Sequence, residues 1–317
     1  MAGAAGAPVR RAARSLVAGS LGPNDRVLVT GAGGWFGSTA AALLHGSGVA
    51  AHYVTQRSRN VEAGDSAYTA HGWDAAVIAE FAPTVVIDCA FVLREYAVDV
   101  GIERYVYENT RLTQRLLKLA QLPSVRRVIS VSSGAAVHPT DGTLADVDAH
   151  PYEYLKRQAE LALMSAVDPA RTSLVIARPW SLSGSLIQRP RRYAFADLIL
   201  QARAGAVSVR ADHEVWRRYI GVDDFFAVCL AASTRGPATI DSGGELVELG
   251  PLAHRIPRVL GIAPSIDRAD PTAGVTDDYY SDDTSWLRAC VEAGYQPADL
   301  DEQIRTVDAY LTATGIA

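Results

Sequence analysis

Short apolar runs alternating with amphipathic stretches constrain this chain more than any other feature. Val27-Leu28-Val29, His52-Tyr53-Val54-Thr55, Val85-Val86-Ile87, Val128-Ile129-Ser130-Val131 and Leu174-Val175-Ile176 each read as a strand. Between them Ser38 to Leu44, Glu108 to Leu119 and Tyr152 to Met164 read as helices; in the second, Leu112, Leu116, Leu117 and Leu119 share much of one face. Strands that are apolar throughout are buried on both faces, and crossovers carrying a helix make them parallel. The pattern predicts an α/β fold, a doubly wound parallel sheet over residues 25–180. After Pro179 the rhythm loosens: Pro, Gly and Arg are frequent from Ser181 to Arg218, and helices recur around Leu252 to Leu260 and Leu300 to Leu311. Residues 181–317 are expected to form mainly a smaller α/β substrate-binding domain, with a segment near 219–235 returning to the first.

Residues 1–24 are an Ala/Gly/Arg-rich extension in which Arg10, Arg11 and Arg14 with Leu16 and Val17 suit a short amphipathic helix. Its apolar stretch is too short and broken for a signal peptide, so a frayed or surface-packed extension is expected. The net charge of −5 argues against a nucleic-acid partner, which calls for a basic excess. No apolar run is long enough to span a bilayer. Cys89, Cys229 and Cys290 are far apart and odd in number, which fits a reducing, cytoplasmic setting. The seven histidines show no ligand spacing, so no metal site is expected.

Thr30-Gly31-Ala32-Gly33-Gly34-Trp35-Phe36-Gly37 lies between a predicted strand and a predicted helix. Glycines there permit a tight turn, close approach of a pyrophosphate and close helix–strand packing, and the helix N-terminus supplies free N–H groups. That context points to a dinucleotide. An acid ending the second strand would bind a ribose 2′-hydroxyl, whereas an arginine accommodates a 2′-phosphate. Here Thr55 runs into Gln56-Arg57-Ser58-Arg59 with no acid before Glu62, so Arg57 favours NADP, with NAD as the alternative.

Tyr152 and Lys156 stand four apart on one helix face. With 13 tyrosines and only Lys118 and Lys156 as lysines, chance gives such a pair about 0.08 times per chain. A phenol near pKa 10 needs a neighbouring ammonium to serve as an acid–base at neutral pH. Upstream, Ser132-Ser133-Gly134 closes a strand whose carboxyl end faces the ligand crevice of a parallel sheet.

The order glycine loop, serine, Tyr-x-x-x-Lys resembles the extended branch of the short-chain dehydrogenase/reductase superfamily, the epimerase/dehydratase family of nucleotide-sugar enzymes, from about Arg26 to Leu311. The resemblance implies a Rossmann domain and, in this sequence, catalytic roles for Tyr152, Lys156, Ser133 (with Ser132 as fallback) and Asn109, the last in a proton relay to the lysine. It implies cofactor contacts at Gly31, Gly34, Trp35, Phe36, Gly37, Arg57, Cys89, Ala90, Lys156 and Pro179. Asp88 stands where the family often has histidine. Arg217-Arg218-Tyr219-Ile220-Gly221-Val222-Asp223-Asp224 is similar to a family signature whose first arginine, here Arg217, contacts a substrate diphosphate, while Asp223 and Asp224 are structural. A homodimer through the helices bearing Asn109 and Tyr152 is also implied.

Three departures bear on activity. Counting back from Val137 places Gly134, not a serine or threonine, at the family's hydroxyl position. Ala135 and Ala136 occupy the acid pair of the dehydratases, which leaves Asp141 or Asp146 as substitutes and disfavours a dehydratase. No aspartate is evident at the third strand's end, with Asp74 the nearest candidate. The expectation is an NADP-dependent ketoreductase acting on a nucleotide-activated deoxysugar, with an NAD-retaining epimerase as the alternative and a non-catalytic NADP sensor as a remote third. Arg189, Arg191, Arg192 and Tyr193 are candidates to meet the substrate diphosphate.

Overall fold

The computed structural model describes residues 9–137 and 147–316. The main sheet is built from β1 (Arg26–Thr30), β2 (Ala50–Thr55), the hairpin β3 (Arg59–Ala63) and β4 (Ser66–Gly72), β5 (Val85–Asp88), β6 (Arg127–Val131) and β7 (Ser173–Arg178). A short β8 (Ser181–Ser183), β9 (Ala206–Val209) and β10 (Glu214–Gly221) follow, and β11 (Ala238–Asp241) returns to the main sheet. Its order is β11-β7-β6-β5-β1-β2-β4-β3, parallel throughout except for the β3–β4 hairpin at one edge. Strand order reverses at β1, between β2 and β5, which opens the crevice where ligands of such sheets bind.

The helices of this part are α1 (Arg11–Gly19), α2 (Trp35–Leu44), α3 (Ala75–Phe81), α4 (Glu95–Val100), α5 (Ile102–Ala120) and α6 (Pro151–Ala166). Strand residues alternate strictly between two apolar layers. Val27, Val29, Val85, Ile87, Ile129, Val131 and Val175 face one core. Leu28, Val86, Val128, Leu174 and Ile176 face the other, against Leu116, Leu119 and Leu163 of α5 and α6. Both layers are apolar, which is why the runs of β1, β5, β6 and β7 are apolar nearly throughout, whereas β2 is only partly buried and keeps His52 and Thr55.

The remainder comprises α7 (Ala194–Arg203), α8 (Val222–Ala232), β12 (Glu245–Glu248), α9 (Leu249–Leu260), β13 (Ser265–Arg268), β14 (Thr276–Tyr279), α10 (Thr284–Ala293) and α11 (Leu300–Ala313). β12, β10, β14 and β8 form a second sheet, and β13 pairs with β9. The buried helix α8 and strand β11 belong by packing to the main sheet, so the first core runs without a break from Val9 to Leu311. No helix among the described residues is long and apolar enough to cross a membrane.

The N-terminal extension is packed. Val9, Ala13 and Val17 are buried, and Arg10 reaches the helix α8 acids. Its Nη1 lies 2.8 Å from Asp224 Oδ1, its Nε 3.0 Å from Glu302, and its backbone N–H donates to Asp223 at 2.7 Å. Asp224, fully buried, also accepts from Ala298 N at 2.8 Å and from Tyr295. Burial pushes the Asp223 carboxyl up to about 6, with Asp224 adding to the rise. Arg10 is therefore the counter-charge of a buried acid pair. Arg10→Ala is expected to lower unfolding free energy by about 2–4 kcal/mol, the scale of a broken, largely buried ion pair, read as a shifted urea midpoint.

Candidate active site

The glycine loop follows β1 directly, and each glycine has its own reason. Gly31 sits at φ +63°, and a Cβ there would lie 2.5 Å from the Cys89 carbonyl, so the loop can pass the end of β5 only as glycine. A Cβ on Gly37 would come within 2.3 Å of the Gly31 carbonyl, so α2 packs onto the turn through this residue. At Gly34 the nearest atom is 3.5 Å away, which leaves the space a close-approaching phosphate needs. Ser38 N makes the first bond of α2, to Gly34 O at 2.9 Å, so the helix opens with the N–H groups that begin at Trp35. The backbone of Trp35 and Phe36 thus fits a phosphate, while their side chains serve packing. Trp35 Nε1 donates to Ser185 O at 2.7 Å and its ring meets Tyr193 edge-on; Phe36 packs on Phe226.

A cavity of about 350 Å³ runs from this loop along the ends of β1, β2 and β5, lined by Thr30, Gly31, Thr55, Gln56, Asp88 and Ala90 and, from the helix side, by Trp73, Arg111 and Arg115. These residues fit a dinucleotide, with polar strand ends at one side and an apolar helix face at the other. Gln56 lines the cavity, and its neighbour Arg57 is exposed just before the β3–β4 hairpin that Arg59 opens. The second arginine, Arg59, instead lies on the glycine loop, donating to Gly33 O at 2.6 Å. Asp74 caps α3 through Ala76 N and Val77 N, and Trp73, carrying the Arg115 guanidinium 4.7 Å from its ring centroid, lines the far end.

Pro151 starts α6 at the turn where its missing N–H costs nothing. Tyr152 and Lys156 then face the sheet ends. The Tyr152 hydroxyl shares a hydrogen bond with Ser133, whose Oγ lies 3.5 Å from the Tyr279 hydroxyl of β14 and accepts from Ala135 N at 3.2 Å. Ser132 is committed elsewhere: its hydroxyl donates to Glu160 at 2.5 Å, and Glu160 takes two bonds from Arg178, at 2.8 and 2.7 Å. Ser133 is thus the serine that meets Tyr152.

Phe91 stands between the tyrosine and the lysine, its ring edge-on to Tyr152 and its face 3.9 Å from Lys156 Nζ. Lys156 also donates to Val131 O at 2.9 Å. Burial pushes its ammonium down to about 8, opposed by Asp88, Cys89 and Glu160. Burial likewise pushes the Tyr152 phenol up, opposed by Ser133 and reinforced by Tyr279, Tyr193 and Glu153. Burial at Tyr152 thus works against the stabilisation that a neighbouring ammonium gives a phenolate.

Asn109 does not join Lys156. Its side chain clamps the Val92 backbone, accepting from Val92 N at 2.8 Å and donating to Val92 O at 3.3 Å, and so shapes the loop after β5. Pro179 O accepts from Gly134 N at 2.8 Å, joining the ends of β6 and β7. Trp180 explains Gly134, since a Cβ there would lie 2.2 Å from the indole. That indole is held by Asp241 at 2.8 Å and packs on the Tyr279 ring, centroids 4.9 Å apart. Arg217 pairs with Asp277 at 2.7 Å with its guanidinium 5.7 Å from the Tyr279 ring centroid. The basic cluster disperses: Arg192 pairs with Glu95 and Arg191 with Asp197. Asp141 and Asp146 lie outside the described residues.

Tyr279, Phe91 and Trp73 carry no motif and are visible only once the chain is folded. Glu160 had a faint signal, one turn beyond Lys156 on the same helix.

The NAD dependent epimerase/dehydratase family model matches residues 27–245, and the chain belongs to that family. No curated protein sequence matches it. Similar solved structures include MoeE5 in complex with UDP-glucose and NAD, at 21% identity and TM-score 0.69 over 92% of this chain and 100% of that one. A UDP-glucose-4-epimerase from Stenotrophomonas maltophila, with bound NAD and formylated UDP-arabinopyranose, matches at 20% identity and TM-score 0.73 over 92% and 99%. The NAD dependent NDP-hexosamine 5,6-dehydratase TunA of tunicamycin biosynthesis matches at 18% and 0.69 over 90% and 98%. These likenesses show the shared fold, and the family is one of nicotinamide-dependent enzymes.

Gly134→Ser, which restores the family's hydroxyl position, should displace Trp180 and destabilise the fold by about 1–3 kcal/mol, as overpacking does. A lowered melting temperature with changed tryptophan fluorescence checks this.

Proposed function

We propose that the protein moves hydride between a nicotinamide dinucleotide and a secondary alcohol or ketone carbon of a nucleotide-activated sugar. One observation carries the reading: Tyr152, Ser133 and buried Lys156 converge at the strand ends beside the glycine-loop cavity. When bound, the dinucleotide would supply or accept the hydride. Gly31, Gly34, Gly37 and the start of α2 would hold its phosphates, and Ala90 and Lys156 would lie along its inner half. Ser133 would orient the reacting oxygen of the substrate, and Tyr152 would give that oxygen its proton in reduction as a phenol and take it back in oxidation as a phenolate beside the Lys156 ammonium. Arg217, beside Tyr279, is the candidate for the substrate diphosphate once its contact with Asp277 is exchanged. The solved relatives with UDP-sugars support this substrate class.

Ketoreductase and epimerase differ in whether the dinucleotide leaves. The solved relatives with bound NAD favour NAD and, with it, the epimerase, whereas Arg57, exposed beside Gln56, favours NADP and the ketoreductase. Denaturing the purified protein and identifying released dinucleotide by mass separates them. Stoichiometric NAD selects the epimerase; empty protein whose melting temperature rises most with NADP selects the ketoreductase; no binding of either rejects the whole reading.

Tyr152→Phe should fold and bind the dinucleotide as the wild type does, while turnover of a panel of nucleoside-diphosphate sugars falls about 100-fold or more. Retained turnover would remove Tyr152 from the chemistry.

A further inference from the structure

The family resemblance puts histidine where this chain has Asp88, and the structure gives the exchange a consequence. Asp88 ends β5 at the floor of the dinucleotide cavity. Its carboxylate accepts from the Thr30 hydroxyl, the residue that leads into the glycine loop, and from the Ala90 amide. Neither donor is a cation. On the far side lies Lys156, with 6% of its surface exposed. Among the described residues no direct ion pair joins the two; a void of about 20 Å³ is lined by both, with Thr113, Ser130, Ser132 and Glu160 as its other charged and polar residues. That volume admits one water, and the walls offer enough partners to hold it.

Counting donors makes the gap meaningful. An ammonium has three N–H groups. One of those of Lys156 goes to Val131 O and the Phe91 face attracts the charge, so a donor remains for the void. The groups facing Lys156 are Asp88 and Cys89 from β5, Glu160 one turn on and Tyr152 one turn back along α6. Glu160 is neutralised by two bonds from Arg178, and burial keeps the Cys89 thiol protonated. Asp88 is the anion left to balance the lysine.

We propose that Asp88 is a positioning residue that holds Lys156 as an ammonium beneath the dinucleotide site, through a single buried water, and thereby sets the upper end of the pH range in which the Tyr152–Lys156 pair works. The proposal rests on the reading of that pair as the reaction centre and deepens it. A histidine at this place would carry no negative charge; the aspartate supplies one at a site where burial alone drives the lysine towards its neutral form.

The composition makes the test direct, because Lys118 and Lys156 are the only lysines. Lysine labelled with ¹³C at Cε gives two signals in the intact protein, assigned with Lys118→Arg and titrated by NMR without substrate or cofactor. In Asp88→Asn the Lys156 midpoint should fall by about one pH unit or more, a tenfold loss of ammonium above the new midpoint, with Lys118 unmoved. An unmoved midpoint overturns the proposal, and so does a raised one, which is what general loosening and entry of water would produce. Should Asp88→Asn not fold, the reciprocal titration decides: in Lys156→Gln the Asp88 carboxyl, followed by ¹³C-aspartate, should titrate at higher pH than in the wild type, and no change overturns the coupling. Because neither readout needs turnover, a lysine that responds as expected alongside an active Tyr152→Phe would reject the reading of the site while leaving the Asp88–Lys156 coupling intact.

Discussion

The carboxylate of Glu160 is the interaction on which the site depends. It is 1% exposed, and a charge so deep is tolerable only when paired and fully hydrogen-bonded. Arg178 at the end of β7 grips it with two bonds, and Ser132 just beyond β6 adds a third. Glu160 lies on α6, one turn past Lys156 and two past Tyr152, so this network sets both the height and the rotation of α6 above the sheet ends. Lys156 adds a second tie through Val131 O. The reactive side chains are consequently placed by a helix locked to two central strands, and loop geometry has little say in where they sit.

The second wall of the cleft is set as firmly, by a different device. β11 pairs with β7, α8 packs behind the main sheet, and the large apolar core continues from one part of the chain into the other. Because the two parts share that core, β14 can bring Tyr279 to Ser133 and lay its ring on Trp180. The Trp180 indole leaves no room for a side chain at 134, and the hydroxyl that meets Tyr152 is that of Ser133, one residue back. A departure from the family pattern in the loop after β6 thus goes with an indole just beyond β7, on which Tyr279 of β14 packs in turn. The acids of the Arg217–Asp224 signature act at another distance: they hold Arg10, and with it the N-terminal helix, against α8.

Much of the fold was legible because burial on both faces leaves a mark on the central strands. The five apolar runs became β1, β2, β5, β6 and β7, and the Tyr152 helix formed within two residues of its expected ends. The β3–β4 hairpin was not legible: at the sheet edge it alternates weakly, and its charged residues read as a loop following Arg57. Asn109 sat on the expected helix, yet its amide found a nearer backbone partner in Val92.

The sequence by itself determined the layered parallel sheet, the glycine loop and the Tyr152–Lys156 spacing, because each is a local or periodic property that burial and helix geometry enforce wherever it occurs. Only the tertiary structure decided which serine faces Tyr152, that Gln56 borders the cavity, that Tyr279 and Trp180 form the opposite wall, and that Asp88 and Lys156 line one small void. Those outcomes depend on competition among partners far apart in the chain, and a polar group takes the partner that burial brings within reach rather than the one its motif suggests.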